Sequence, residues 1–158
     1  EFNLKLKFVF DTHVHADHIT ASGKLRELTN CITLLGEATG PDCVSKTVSD
    51  GEKIQVGSLE FTVLETLGHT QDSFCLYTLG MVFTGDTLFV RGTGRTDFQA
   101  GNPIDQYNSI VNKLFTLFKE IISLLYEKTN IHLVSVSMLF ADKRFMLTST
   151  SIGGEAKA

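Results

Sequence analysis

Asp11-Thr12-His13-Val14-His15-Ala16-Asp17-His18-Ile19-Thr20-Ala21-Ser22-Gly23 is the stretch on which the reading of this chain turns. It puts three imidazoles and a carboxylate into the six positions from His13 to His18. Directly before it, Leu4, Leu6, Phe8 and Phe10 alternate with Lys5, Lys7 and Val9, the two-residue period of a half-buried strand. The donor-rich run is therefore expected as the loop at that strand's end. A lone histidine is usually a surface or satisfied core residue, yet four of the five histidines fall in two places, His13/His15/His18 and Gly68-His69-Thr70. Imidazole and carboxylate donors suit borderline divalent ions such as zinc, iron or manganese. Two apart at a strand end, His13 and His15 are expected to turn the same way toward one ion, with Asp17-His18 swinging to a neighbouring position.

A third element lies downstream in Phe83-Thr84-Gly85-Asp86, an aspartate closing an apolar strand. Alone it would read as a turn or cap residue. In order after the histidine loop and Gly68-His69-Thr70 it completes an ordered set of donors. Beyond it, Arg91 and Arg95 flank Gly92-Thr93-Gly94. Tight backbone paths at such glycines let guanidinium groups be aimed at an anionic substrate.

Around these loops the chain has the signals of one domain across residues 1–158. Hydrophobic residues make up 42% and charged residues 20%, in the ordinary range for a globular protein. No apolar run approaches the roughly 20 residues needed to span a bilayer, so no membrane partner is expected. The formal net charge of −4, with Lys and Arg scattered, argues against a nucleic-acid surface. Cys31, Cys43 and Cys75 form no CxxC pair and read as reduced thiols of a cytosol or similar compartment. The chain does not open on Met, so the numbering is expected to begin inside a longer product, and no targeting segment is visible in the residues given.

A helical stretch is expected through Leu25 and Leu28, then a strand over Cys31–Leu35. Hairpin strands are expected at Lys53–Val56 and Leu59–Leu64, bracketed by the turns Asp50-Gly51 and Val56-Gly57-Ser58. Ser73–Tyr77 and Met81–Thr84 form a second pair. Asn102-Pro103 supplies an N-cap and an N1 proline to a helix whose apolar stripe runs through Tyr107, Ile110, Val111, Leu114, Phe118, Ile121 and Leu125. Ile131–Phe140 reads as a strand and Thr148–Ala158 as a polar tail. Hairpins interleaved with a few helices predict a layered α+β or αββα architecture, not a parallel doubly wound sheet.

The ordered motifs resemble the metallo-β-lactamase superfamily with its αββα sandwich. Within it, Asp11 to Arg26 and the run Gly85-Asp86-Thr87-Leu88-Phe89-Val90-Arg91-Gly92-Thr93-Gly94-Arg95-Thr96-Asp97-Phe98-Gln99 are similar to the persulfide dioxygenases, the ethylmalonic-encephalopathy protein family. The resemblance covers about residues 4–117 and leaves 118–158 divergent. It implies one Fe(II) held by His13, His69 and Asp86, with His15, Asp17 and His18 around it or at a second metal, and Zn as the alternative ion. It implies oxidation of glutathione persulfide by O2 to sulfite and glutathione, with Arg95 and Arg91 as substrate-binding residues, in the cytoplasm or mitochondrial matrix. Glyoxalase II, a metal-dependent thioester hydrolase, shares the metal motifs and is the alternative. An inactive fragment or pseudoenzyme is a third.

The chain also departs from that family. Its members carry two strands and a helix before the position of Leu4, so the sandwich is expected to be partial. The strand from Leu4 is then expected at an open edge with Phe8 and Phe10 uncovered, favouring self-association into a homo-oligomer. Members break the late helix after a Thr-Leu-Pro, whereas Phe115-Thr116-Leu117 runs into Phe118-Lys119-Glu120, so the helix is expected to continue toward Glu127. The family's later histidine has no counterpart here: His132 opens its strand instead of closing it.

Overall fold

The computed structural model describes residues 5–39, 42 and 44–117, together with the backbone of three short strands at 133–134, 138–141 and 144–147. Two five-stranded sheets face one another. The first has the order β10-β9-β1-β2-β3, from β1 (Leu6–Phe10), β2 (Ile32–Gly36), β3 (Lys46–Val48), β9 (Met138–Ala141) and β10 (Arg144–Leu147). The second runs in sequence order through β4 (Lys53–Val56), β5 (Leu59–Glu65), β6 (Phe74–Thr78), β7 (Met81–Phe83) and β8 (Leu133–Val134). β1, β2 and β3 are mutually parallel, while β4 through β7 are antiparallel neighbours.

Side-chain alternation builds the layers. Phe61 and Val63 of β5, Phe74 and Leu76 of β6, and Phe83 of β7 point between the sheets, where they meet Phe10, Leu34, Val48, Ile54 and Val56. The intervening Leu64, Cys75, Tyr77 and Val82 face the other way and meet Ile110, Leu114 and Leu117. β6 and β7 are thus covered on both faces, which is why they read as nearly continuous apolar runs. α1 (Ser22–Thr29) packs against β1 and β2 on the other side of the molecule. Helix, sheet, sheet, helix is the αββα order expected.

Phe10 is only 1% exposed, and its ring meets Phe74 edge-on at a centroid separation of 4.4 Å, joining the two sheets. This corrects the expectation of an open edge at β1. β9 lies antiparallel along its free side, Phe10 is in the core and Phe8 packs against it. The single strand expected over Ile131–Phe140 is instead split between β8 in one sheet and β9 in the other, and β3 and β10 were not anticipated.

α2 (Pro103–Asn108) begins as expected: the Asn102 side-chain oxygen accepts from the Ile104 and Asp105 N–H groups, and Pro103 sits where no donor is missed. The helix runs on through a π-helical stretch, Ser109–Leu114. Its buried face differs from the expected stripe, because Tyr107 is 65% exposed and Gln106 is buried in its place. Gln106 donates through Nε2 to the Thr87 carbonyl, and the Ser109 hydroxyl donates to the Leu67 carbonyl. Those bonds dock the helix on the two loops that carry His69 and Asp86. The expected run of the helix past Leu117, His132 and the tail 148–158 lie outside the described residues.

Candidate metal centre

Three loops meet at one end of the sandwich. The first follows β1, the second links β5 to β6, and the third follows β7. His13 leaves the first loop buried at 3% exposure, and its Nδ1 lies 3.0 Å from the Thr12 hydroxyl. Its Nε2 faces Asp86 Oδ2 at 4.0 Å. From the second loop, His69 places Nε2 3.5 Å from the same oxygen. The Nδ1 of His69 is 2.8 Å from the Arg95 carbonyl. A carbonyl only accepts, so Nδ1 carries the hydrogen and Nε2 is left to bind.

Donor atoms of His13, His69 and Asp86 all lie within 4.8 Å of one another. Those of His15, Asp17 and His18 form a second such group. There His18 Nδ1 is 2.9 Å and His15 Nδ1 3.9 Å from Asp17 Oδ1. His13 and His15 thus fall in different donor groups. Their rings still lie close, with centroids 4.1 Å apart.

Burial, reinforced by the neighbouring His15 and His69 imidazoles, pushes the His13 pKa down to about 3. That residue is a neutral imidazole near neutral pH, as a metal ligand must be. His15 is lowered by the same two causes, with His18 its main neighbour. Hydrogen bonding from His18 holds Asp17 below the usual carboxylate range. Two imidazoles and a carboxylate with oriented donor atoms fit a divalent cation.

Glycines set how close the loops come. A Cβ on Gly94 would lie 2.4 Å from the Asp86 carbonyl oxygen and 2.8 Å from His69 Nδ1. Gly85, at φ +48°, leaves the same kind of room for the Thr12 side chain. The Gly94 N–H donates to the Asp86 carbonyl at 2.7 Å, tying the arginine loop to the loop of Asp86.

Arg95 is exposed, and its guanidinium forks onto Asp97, with Nε to Oδ1 at 2.7 Å and the second nitrogen to Oδ2 at 3.0 Å. That partner raises the Arg95 pKa. The guanidinium also lies over the Phe98 ring, 5.5 Å from its centroid. Arg91 sits in a tight exposed turn at φ +75°, where Phe89 and Gly92 bridge. Sequence reasoning missed two residues of the site. Asp72 Oδ2 accepts from the Val14 N–H at 2.7 Å, and Gln99 Nε2 donates to the Val14 carbonyl at 2.9 Å. Nothing in Gln71-Asp72-Ser73 marks Asp72 apart from an ordinary turn aspartate.

The sequence profile of the metallo-beta-lactamase superfamily matches residues 3–129. The chain belongs to the metallo-beta-lactamase superfamily. It is 40% identical over 120 residues to the mitochondrial persulfide dioxygenase ETHE1 of Homo sapiens, a match covering 74% of this chain and 47% of that protein. Its fold superposes on the crystal structure of ETHE1 from Myxococcus xanthus with a TM-score of 0.69 at 53% identity, covering 73% of this chain and 51% of the other. A hydroxyacylglutathione hydrolase of Idiomarina loihiensis is 38% identical over 90 residues, 57% of this chain and 36% of that protein. The chain thus spans about half the length of the persulfide dioxygenases it matches. Membership of this superfamily, with the His/Asp cluster, implies metal binding. No helix among the described residues is long and apolar enough to cross a membrane.

Proposed function

We propose that this chain carries the metal centre of a persulfide dioxygenase, with one Fe(II) held by His13, His69 and Asp86. The observation that carries the reading is the separation of donors into two groups. Two histidines and one carboxylate stand together, while His15 stands with Asp17 and His18. Two imidazoles and a carboxylate are the donor set of non-haem Fe(II) oxygenases, whose remaining positions admit O2 and substrate. Bound there, the ion would supply oxygen activation for oxidising glutathione persulfide to sulfite and glutathione.

The chain's own residues do the rest. The Arg95 carbonyl and Thr12 hydroxyl orient the two imidazoles, and burial keeps His13 neutral. Arg95 and Arg91, which flank Gly92-Thr93-Gly94, meet the carboxylates of the glutathione moiety. The substrate must compete with Asp97 for the Arg95 guanidinium. We read residues 1–158 as one domain and infer the mitochondrial matrix or cytoplasm as its compartment.

A second reading is favoured by the second donor group. His15, Asp17 and His18 would accommodate another ion, such as Zn, as a thioester hydrolase of the hydroxyacylglutathione type requires. The experiment that separates them is an oxygen-electrode assay on protein purified anaerobically and loaded with Fe(II). Oxygen uptake dependent on glutathione persulfide and lost in His69→Ala supports the dioxygenase. Hydrolysis of a glutathione thioester without oxygen uptake supports the hydrolase.

A further inference from the structure

We infer that Asp72 and Gln99 are positioning residues that grip the Val14 backbone from two sides and so keep His15 off the ion held by His13, His69 and Asp86. The inference rests on the proposed ligand set and adds what enforces it.

Side chains two apart in extended chain leave the same side, and the rings of His13 and His15 do lie against one another. Nothing in their spacing sends one imidazole to Asp86 and the other to Asp17. Val14 lies between them, and both of its backbone polar groups are held by side chains from other loops. Its N–H belongs to the peptide plane shared with His13 and donates to Asp72 Oδ2 at 2.7 Å, a charge-assisted bond. Its C=O belongs to the plane shared with His15 and accepts from Gln99 Nε2 at 2.9 Å. Holding one end of each plane fixes both backbone torsions at Val14, and with them the directions in which the two imidazoles leave.

Both grips are themselves firmly based. Asp72 is 5% exposed, three residues after His69, so the first tether runs to the loop of a proposed ligand. Gln99 and Ala100 are consecutive non-glycine residues in the left-handed region, at φ +48° and +56°. Such a pair persists only where its surroundings hold it. Here Gln71 Nε2 donates to the Ala100 carbonyl at 2.9 Å and the Gly101 N–H to the Phe98 carbonyl at 2.8 Å. The turn is constrained in a form that presents the Gln99 amide to Val14. His15 is partly buried, and its ring centroid lies 4.1 Å from that of His13, whose Nε2 faces Asp86.

The test uses Co(II) as probe, read by its visible d–d absorption and by its dissociation constant. Gln99→Asn keeps an amide at a residue type that tolerates left-handed backbone while shortening its reach. Asp72→Ala removes the other grip, and Asp72→Asn retains an acceptor for the Val14 N–H. In the wild type, His15→Ala should leave the Co(II) spectrum unchanged. In Gln99→Asn and in Asp72→Ala the spectrum should change as an extra imidazole joins, and adding His15→Ala should reverse that change. The extra ligand should also tighten Co(II) binding in both variants, adding His15→Ala should remove that gain, and Asp72→Asn should stay near wild type. Wild-type spectra in both Gln99→Asn and Asp72→Ala would overturn the inference, and so would a change that persists without His15. A spectrum altered by His15→Ala in the wild-type background would instead overturn the ligand set beneath it.

Discussion

His69 Nδ1 and the Arg95 carbonyl oxygen are 2.8 Å apart, so Arg95 orients a proposed metal ligand through its backbone while its side chain lies elsewhere, on Asp97 and Phe98. The two roles are separable by mutation. Arg95→Ala keeps the carbonyl and should leave metal content intact. It should raise KM for an anionic glutathione derivative by about tenfold, the usual worth of a hydrogen bond to a charged group. Steady-state kinetics beside metal analysis check this, and unchanged KM would make the side chain irrelevant to the substrate.

Gly94 offers the converse test. A methyl group there meets the Asp86 carbonyl oxygen at 2.4 Å and the His69 ring at 2.8 Å, so the two loops cannot keep their present spacing. Gly94→Ala should retain the far-ultraviolet circular dichroism of the wild type yet lose metal retention. Normal metal content in that variant would mean the loops have slack that these distances exclude.

The proposed ligands should rank clearly. His69→Ala and Asp86→Ala should each strip the metal, whereas His18→Ala should alter activity by ~10–100-fold with the metal retained. Metal loss in His18→Ala as complete as in His69→Ala would place His18 among the direct ligands.

The sheets had a pattern that could be read from residues: Phe61 and Val63 announce a strand through alternation, and Leu76 and Phe83 belong to short apolar runs with bounding turns. β3 escaped because Lys46-Thr47-Val48 is short and largely polar, and its place is set by pairing with β2. Gln106 escaped because its burial comes from docking on Thr87, which no periodicity encodes. At the site, residue types and order were legible in His13, His69 and Asp86. The division of His13 from His15 came from the family resemblance and not from their spacing, since what we infer enforces it is Asp72 and Gln99, and Gln99 lies 85 positions away from Val14.

Cys75 tests the layer beneath α2. It is fully buried, within 3.2 Å of the Thr66 hydroxyl, and burial pushes its pKa up to about 11 from 9.0. Folding thus favours the neutral thiol. The corresponding stability is fully present below about pH 9 and is lost as pH rises toward 11. A shift of that size corresponds to roughly 3 kcal/mol. Native protein at pH 8 should leave Cys75 unlabelled by iodoacetamide in peptide mapping, and urea midpoints should drop across that alkaline window. Fast native labelling would contradict the buried placement.

Phe10 and Phe74 carry the junction between the sheets immediately behind the first ligand loop. Phe10→Ala should cost ~3–5 kcal/mol in urea unfolding, and the loss should appear with and without metal. A cost below about 1 kcal/mol would be out of keeping with a ring so fully enclosed.

The most direct test of the central claim is the number and identity of metal ions per chain in protein purified and reconstituted anaerobically. Ligation by His13, His69 and Asp86 alone predicts one Fe(II) per chain, absent in Asp86→Ala and retained in His15→Ala. Two tightly bound zinc ions per chain, with the second lost on changing His15 or His18, would contradict the account and favour the hydrolase.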